Sequence, residues 1–194
     1  MKDEIYFSFD IEADGPVPGL YSMLSIGICV AGRTVAGSYV EADPEEKTMY
    51  LEMQPISEDF VEAAMSVNKL NREHLRVHGV SPHDAMKRLS DWILGCAEDL
   101  NPVLVAYPST FDWTFLSYYF HRFLGGALPV SFTRVCDVRT MLVVKSQSMF
   151  YTPTAQCLPP ELLVERAGTH NGLIDAIEQA RLFSSIHLWG GKCE

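Results

Sequence analysis

Apolar and polar residues alternate strictly along the N-terminal part of the chain. Ile5, Phe7, Phe9 and Ile11 are separated by the more polar Tyr6, Ser8, Asp10 and Glu12. This period of two is typical of a β-strand, and the Asp14-Gly15-Pro16 turn is expected to end it. A second strand is predicted from Met23 to Val30 and, after an Ala31-Gly32 turn, a third from about Thr34 to Glu41. Together these segments predict an antiparallel meander of three strands.

Helical periodicity begins near residue 81. Ser81 is predicted to cap a helix, with Pro82 at its first position and Asp84 in its first turn. The apolar residues that follow recur every three or four positions: Ala85, Met86, Leu89, Trp92, Ile93 and Cys96. Such a stripe buries one face of a helix, so we expect this helix to pack on the sheet.

Strand and helix patterns alternate after this helix. A short apolar run from Pro102 to Ala106 predicts a buried strand. Ser109 or Thr110 is predicted to cap the next helix, which should stop at Gly125-Gly126. The segment from Val135 to about Val144 is compatible with a strand or with a strand entering a helix.

The C-terminal part contains an irregular segment and a final helix. Residues 146–168 contain Pro153, Pro159 and Pro160 and predict no regular element. The last helix is predicted from Gly172 to Leu188, with these residues facing inward: Leu173, Ile174, Ile177, Ala180 and Phe183. Three antiparallel strands followed by alternating helices and strands predict a mixed α/β sheet flanked by helices. The length of 194 residues predicts one domain over 1–194.

The net charge limits how the protein could bind nucleic acid. The chain has 15 Lys and Arg against 25 Asp and Glu, a formal charge of -10. This argues against a broad cationic face. Eight acidic residues and one lysine lie between Glu41 and Glu62, so this segment carries -7 of the total. The acidity is therefore local, and the protein would hold a nucleic acid through a few local contacts.

Membrane and disulfide signals are weak. The longest mainly apolar stretch, Met23 to Ala31, is far shorter than the roughly 20 residues that span a bilayer. The acidic start Met1-Lys2-Asp3-Glu4 lacks the basic region of a signal peptide. The five cysteines are scattered and never spaced as C-x-x-C, which predicts reduced thiols. The sequence therefore predicts a cytoplasmic protein with no membrane partner.

Five polar residues in three places are candidates for chemistry. Asp10 and Glu12 project from one face of their strand, where a cation would relieve their repulsion, although a solvated acidic strand end gives the same pattern. Asp112 lies in the first turn of its helix, where the helix dipole alone would favour a carboxylate. His170 and Asp175 frame the start of the last helix, and a surface or capping histidine is the alternative for His170.

Taken together, these residues resemble the three motifs of the DEDDh family of 3′-to-5′ exonucleases. Phe9-Asp10-Ile11-Glu12 resembles the first motif, Phe111-Asp112 the second, and the segment from His170 to Asp175 the third, in the family's order. Asn171 stands where the related tyrosine subclass has its tyrosine, which favours the histidine subclass. The resemblance extends over about Ile5 to Ile186 and implies a ribonuclease H-like fold.

The resemblance also implies a role for each residue. Asp10, Glu12, Asp112 and Asp175 would hold two divalent ions, Mg²⁺ or Mn²⁺, and His170 would be the general base that takes a proton from the attacking water. Carboxylate oxygens suit such cations, and two ions can stabilise both the attacking and the leaving oxygen of a phosphoryl displacement.

Departures from the family pattern concern the substrate. Many relatives carry threonines that meet the terminal nucleotide where this chain has Ala13 and Asp14. With Phe111, these two residues are the candidate substrate contacts. Pro108 lies in the loop before the second motif, where many relatives have a His-Asn pair, and it cannot donate a backbone hydrogen bond.

Two further charged features have both bland and functional interpretations. His74 and His78 are four residues apart and could share a helical face, but no third metal ligand lies nearby in sequence. The stretch from Lys69 to Arg88 carries a net charge of +3. It is compatible with a solvated face or with a patch that contacts phosphates.

The sequence therefore predicts a metal-dependent 3′-to-5′ exonuclease that releases nucleoside 5′-monophosphates from single-stranded or short nucleic acid, either RNA or DNA. One alternative is a phosphodiesterase for dinucleotides or nucleotide conjugates, which suits the low basicity. Another is a non-catalytic nucleic-acid-binding module of the same fold. Because family members are often dimers, a homodimer is a further expectation, although no interface signal is visible in the sequence.

Overall fold

A six-stranded mixed sheet lies at the centre of the computed structural model, which describes residues 2–163, except the side chain at position 161, and residues 170–190. Its strands are β1 (Glu4–Ala13), β2 (Met23–Val35), β3 (Ser38–Glu41), β4 (Thr48–Glu52), β5 (Asn101–Ala106) and β6 (Val135–Asp137). The strand order is β3-β2-β1-β5-β6, and β4 also pairs with β2. β1 is antiparallel to β2 and parallel to β5. The predicted mixed α/β sheet is thus confirmed.

Helices pack on both faces of this sheet. The described residues form α1 (Glu62–Asn68), α2 (Arg72–His78), α3 (Pro82–Ala97), α4 (Ser109–Leu124), α5 (Val138–Ser146), α6 (Thr154–Cys157) and α7 (Gly172–Leu188), with a short 3-10 helix at Pro160–Leu162. Helices α3 and α4 pack together on one face, whereas α7 crosses β1 and β2 on the other. Among the helices described, none is long and apolar enough to cross a membrane.

The two faces of β1 differ in chemistry. Phe7, Phe9 and Ile11 are almost completely buried in the apolar core that includes residues of α3 and α4. The alternate residues Ser8 and Asp10 belong to the face covered by α7, because side chains change face at every residue of a strand. One face of the central strand therefore supplies the core, and the other carries polar groups under a helix.

The first hairpin is longer than its sequence predicts. Strand β2 continues through Ala31-Gly32, and the chain turns at Ala36-Gly37, which have φ angles of 51° and 80°. Two consecutive positive φ angles suit a two-residue hairpin turn. The predicted turn at Ala31-Gly32 was wrong because Ala31 is buried in the apolar cluster beneath α7 and so continues the strand.

Strand β4 was missed within the acidic segment. It pairs with Ser25 to Cys29 in the first half of β2, whereas β3 pairs with the second half. The 13 residues of β2 are long enough to hold both partners on the same edge. Leu51 of β4 is buried, so this part of the acidic segment belongs to the core.

Helix ends show which local signals were reliable. The Ser81 hydroxyl accepts the Asp84 N–H at 3.2 Å, as the capping pattern predicts. Helix α4 instead follows Pro108, and neither Ser109 nor Thr110 caps it. The Asp137 carboxylate accepts the Ser109 N–H at 2.7 Å, so a residue distant in sequence replaces the predicted cap.

The remaining C-terminal predictions are partly confirmed. Val135 to Val144 is a strand entering a helix, β6 followed by α5. The irregular stretch from residue 146 contains α6 and the 3-10 helix as its regular elements up to Leu163, and residues 164–168 lie outside the described part. Helix α7 has the predicted bounds, but Ile174 is 42% exposed because the helix turns the polar Asp175 and Gln179 inward.

Candidate active site

The central strands part where β5 ends. Pairing between β1 and β5 extends as far as Ser8 and Val105, whereas β1 continues to Ala13. Beyond this point Asp112 Oδ1 accepts the Ile11 N–H at 3.1 Å. A side chain from the first turn of α4 thereby replaces the missing strand partner. Strands that part in this way leave a crevice at their carboxyl ends, which is where α/β sheets commonly bind ligands.

Helix α7 reaches this crevice because two glycines let it approach the sheet. A Cβ atom on Gly27 would lie 2.2 Å from the carbonyl carbon of Gly172, a separation that no side chain tolerates. Asn171 caps the helix, and its side-chain oxygen accepts the N–H groups of the second and third helical residues. The close approach places Asp175, in the first turn of α7, next to the end of β1.

The structure brings all five predicted catalytic residues to one open cleft of about 550 Å³. Its lining comprises Asp10, Ile11, Glu12, Tyr107, Pro108, Phe111, Asp112, His170 and Asp175. One ligand atom from each of Glu12, His170 and Asp175 can be chosen so that all three lie within 4.8 Å of one another. Residues separated by more than 160 positions in the chain thus form a single cluster.

His170 has an unusual backbone conformation. Its φ angle is 51°, in the left-handed region that costs a residue with a side chain about 1 to 2 kcal/mol. The side chain is exposed at the cleft. Strained backbone often marks functional positions, where the surrounding fold holds a side chain in place. His170 directly precedes Asn171, which caps α7.

Burial raises the pKa values of three carboxyl groups in the cleft, and two of them are raised further by neighbouring carboxylates. Burial raises the pKa of Glu12 to about 8, and the carboxylates of Asp175 and Asp112 add to this rise. Burial also raises the pKa of Asp10 well above its usual range, together with repulsion from Asp112, Glu12 and Asp175. For Asp112, burial raises the pKa although the Ile11 N–H bond opposes the change. The cluster therefore favours protons or cations.

These groups fit divalent cations. Mg²⁺ and Mn²⁺ prefer oxygen ligands, and a cation between buried carboxylates would remove the repulsion that raises their pKa values. In the described part of the chain, no Lys or Arg forms an ion pair with Asp10 or Glu12. The oxygen donors, and the lack of a described Lys or Arg partner for Asp10 and Glu12, both suit metal ions.

The three candidate substrate contacts lie in different environments. Phe111 is 41% exposed and lines the cleft, where its ring packs beside Phe115. Ala13 is buried, and its carbonyl accepts a hydrogen bond from the Asn68 side chain at 3.1 Å. Asp14 is completely buried, and its carboxylate is bound by Arg72 and by the Ser22 N–H. Asp14 therefore holds the loop after β1 in place and presents no surface to a substrate.

The basic stretch is largely neutralised by neighbouring acids. Arg72 is buried with Asp14, Arg76 pairs with Glu58 and Glu73, and Lys87 pairs with Asp91. The rings of His74 and His78 lie 4.4 Å apart, on a helical face as their spacing suggests. In the described residues, this pair is not part of a cluster of three or more metal-ligating side chains.

Sequence reasoning missed Gln179, which contacts the predicted site directly. Its Nε2 donates a hydrogen bond of 2.7 Å to Asp10 Oδ1. The signal was its position four residues after Asp175, because residues four apart share a helix face. Tyr107 was also missed; it lines the cleft, and its hydroxyl lies 2.5 Å from that of Thr154.

The fold and the cleft together define a ribonuclease H-like nuclease of the DEDDh type. The chain belongs to the family described as the 3′-5′ exoribonuclease Rv2179c-like domain, whose model matches residues 7–187. A curated Escherichia coli relative, the 3′-5′ DNA exonuclease Cap18, is 39% identical over 184 residues, covering 94% of this chain and 91% of the relative. This protein is thus a 3′-5′ exonuclease, as its motifs predict.

Solved structures confirm the fold. Escherichia coli Exonuclease I in complex with a dT13 oligonucleotide superimposes with a TM-score of 0.65 at 12% identity, covering 91% of this chain and 39% of that one. An Exonuclease I from Methylocaldum szegediense gives a TM-score of 0.53 at 13% identity, covering 73% of this chain and 30% of that one. This chain therefore spans about two fifths or less of these proteins, and the two similarities give no support to the homodimer expectation.

Proposed function

We propose that this exonuclease releases nucleoside 5′-monophosphates from the 3′ end of single-stranded or short nucleic acid. The observation that carries the proposal is the convergence of four carboxylates and an exposed histidine in one open cleft. The exposed ring of Phe111 offers a stacking surface for a terminal base, and such stacking tolerates any sequence. The dT13 strand bound to the structurally similar Exonuclease I supports a single-stranded substrate. Ala13 stays a proposed substrate contact beside Phe111. We further propose that residues 1–194 act as one exonuclease domain.

We propose that Asp10, Glu12, Asp112 and Asp175 hold two divalent ions, Mg²⁺ or Mn²⁺. Such ions, when bound, stabilise negative charge on the attacking and leaving oxygens of a phosphodiester. The protein's own contribution is to fix the ligands: the Ile11 N–H holds Asp112, and the glycine contact between β2 and α7 sets the position of Asp175. The low overall basicity then matters less, because cations in the cleft would attract the phosphate.

His170 is the proposed general base. A ring nitrogen lies within 4.8 Å of carboxylate oxygens of Glu12 and Asp175, so a water beside these groups is within reach of the ring. His170→Ala should lower kcat by about 100- to 10,000-fold, the usual contribution of a general base, while Mn²⁺ binding measured without substrate persists. Unchanged kcat in this variant would remove His170 from the mechanism.

Product analysis on oligonucleotides tests the whole proposal. Matched RNA and DNA strands of 2, 5 and 20 nucleotides, labelled at the 5′ end, should be shortened stepwise from the 3′ end, with nucleoside 5′-monophosphates as products. Both polymers are included because the family model describes an exoribonuclease and the curated relative is named a DNA exonuclease. Cleavage of the dinucleotide alone would instead identify a small-substrate phosphodiesterase.

A further inference from the structure

We propose that Gln179 is a positioning residue that holds the Asp10 carboxylate in the orientation needed to bind a divalent ion. The inference rests on the proposed metal site, and it assigns to that site a residue that is not itself a ligand. It follows from the contacts of Gln179, from its burial and from the chemistry of its amide.

Gln179 reaches Asp10 from one turn further along α7 than Asp175. Its Nε2 donates to Asp10 Oδ1 at 2.7 Å, a short hydrogen bond for an amide and a carboxylate. Both Asp175 and Gln179 are buried on the helix face that packs on the sheet. One helix thus brings a carboxylate to the cluster and, four residues later, a donor that holds another carboxylate.

Packing alone does not account for glutamine at this position. The side chain is 0% exposed, and its Oε1 has no hydrogen-bond partner among the described residues. Burying an unpartnered amide oxygen costs free energy, whereas a methionine of similar size would avoid that cost. The bond to Asp10 is an interaction that methionine could not make, so it is the reason we assign to the residue.

The Asp10 carboxylate accepts a hydrogen bond from Gln179. Among the described residues, Gln179 is the one side chain recorded as a hydrogen-bond donor to it. Without that bond the carboxylate is free to rotate about its terminal torsion, and it faces repulsion from Glu12, Asp112 and Asp175. Groups that orient metal ligands through a hydrogen bond commonly change metal affinity by 10- to 100-fold when they are removed.

The test measures Mn²⁺ binding to the free protein by calorimetry and then activity at several Mg²⁺ concentrations. Gln179→Met should raise the Mn²⁺ Kd about tenfold or more. It should lower kcat with little change in the KM for the oligonucleotide, and excess Mg²⁺ should restore part of the rate. Gln179→Asn keeps the amide but is one methylene shorter, so its Mn²⁺ Kd should also rise. This second variant decides the question if the methionine variant does not fold.

Ser184→Ala is the matched control. Ser184 is also buried on α7, but its hydroxyl bonds to Tyr39 and to the Ala31 carbonyl, away from the cleft. It should leave the Mn²⁺ Kd unchanged even if the melting temperature falls. A folded Gln179 variant that binds Mn²⁺ as tightly as the wild type would overturn the role of Gln179. Undiminished Mn²⁺ binding in Asp10→Asn would instead overturn the proposed metal site itself, which is a distinguishable failure.

Discussion

Asp10 and Asp14 lie four residues apart at the end of β1, but one is surrounded by carboxylates and the other is paired with a cation. Asp14 is completely buried and forms an ion pair with Arg72, whose Nε lies 3.0 Å from Oδ2. Asp10 lies among the carboxylates of Glu12, Asp112 and Asp175 and is raised in pKa by burial and by their repulsion. The charge of Asp14 is compensated by Arg72, whereas among the described residues no Lys or Arg forms an ion pair with Asp10.

Both carboxyl groups are buried, so the presence of a cationic partner, more than burial, distinguishes Asp14 from the proposed metal ligand Asp10. The ion pair fixes the loop after β1 to α2, since Arg72 also contacts the Ser57 carbonyl and lies over the Phe60 ring. The cluster at the cleft accumulates repulsion that an external cation would relieve. Within one motif, Asp14 therefore stabilises the loop after β1, and Asp10 is the proposed metal ligand.

The largest loss of activity is expected when the Asp10 carboxylate is replaced by a neutral amide. Asp10→Asn should lower kcat/KM for an oligonucleotide on the order of 1,000-fold, because several kcal/mol of transition-state stabilisation depend on the metal ligands. In EDTA its melting temperature should equal or exceed that of the wild type, since one source of repulsion is gone. Activity within tenfold of the wild type would contradict the proposed role of Asp10.

Breaking the ion pair between Asp14 and Arg72 should lower stability and leave activity unchanged, the opposite of the effect expected for Asp10→Asn. Arg72→Met leaves Asp14 buried without its cation, and loss of one partner of a buried pair costs about 3 to 5 kcal/mol. The free energy of unfolding, measured by urea titration, should fall by that amount, while kcat per folded molecule is retained. Adding Asp14→Asn to this variant should recover part of the stability. If Arg72→Met lost activity without losing stability, the structural role of the Asp14–Arg72 pair would be contradicted, and both residues would belong to the candidate active site.

A smaller effect is expected from a neutral group at the cleft. Phe111→Ala removes the exposed ring, and stacking of a base on an aromatic side chain contributes about 1 to 3 kcal/mol. The KM for an oligonucleotide should rise roughly tenfold, with little change in Mn²⁺ binding. Phe132→Ala is a fitting control, because Phe132 is 72% exposed and does not line the cleft. An equal effect of both substitutions would argue against stacking at Phe111.

The smallest effect concerns pH in the absence of divalent ions. Burial raises the pKa of Glu12 to about 8 from the 4.5 of an exposed glutamate, so the folded chain binds more protons than the unfolded chain between these values. Raising the pH from 5 to 8 in EDTA should therefore lower the stability. A fall in melting temperature of about 2 to 4 °C would correspond to about 1 kcal/mol. Saturating Mg²⁺ or Glu12→Gln should reduce this fall in melting temperature. If the melting temperature fell equally with pH in EDTA and in saturating Mg²⁺, the prediction would be contradicted.

Local signals predicted most of the elements, and distant contacts account for the errors. Ser81 capped its helix as predicted, because capping involves residues three positions apart. The start of α4 depends instead on Asp137, which accepts the Ser109 N–H. The chain does not turn at Ala31-Gly32, because Ala31 is buried in the apolar cluster beneath α7 and β2 continues through it. The spacing of Ile174 predicts a core position, yet it is exposed, and Asp175 and Gln179 of the same helix are buried instead.

The sequence predicts more of the residues that line the cleft than of the residues that surround them. Residue types and the resemblance to the DEDDh motifs predict the five residues Asp10, Glu12, Asp112, His170 and Asp175, and all five line one cleft. Gln179 was missed because its partner is 169 positions away in sequence. Asp14 was expected to meet the substrate, and only the packing of Arg72 showed that its carboxylate is already engaged.

The alternation of β1 and the helical stripes can be read from the chain, since each depends on residues close together, and so can the order of the acidic motifs. The different surroundings of Asp10 and Asp14 could be seen only in the folded chain. Burial and the approach of Arg72 or Gln179 are set by the packing of α2 and α7 against the sheet. Electrostatic roles depend on distance in space, and a linear pattern does not specify that distance.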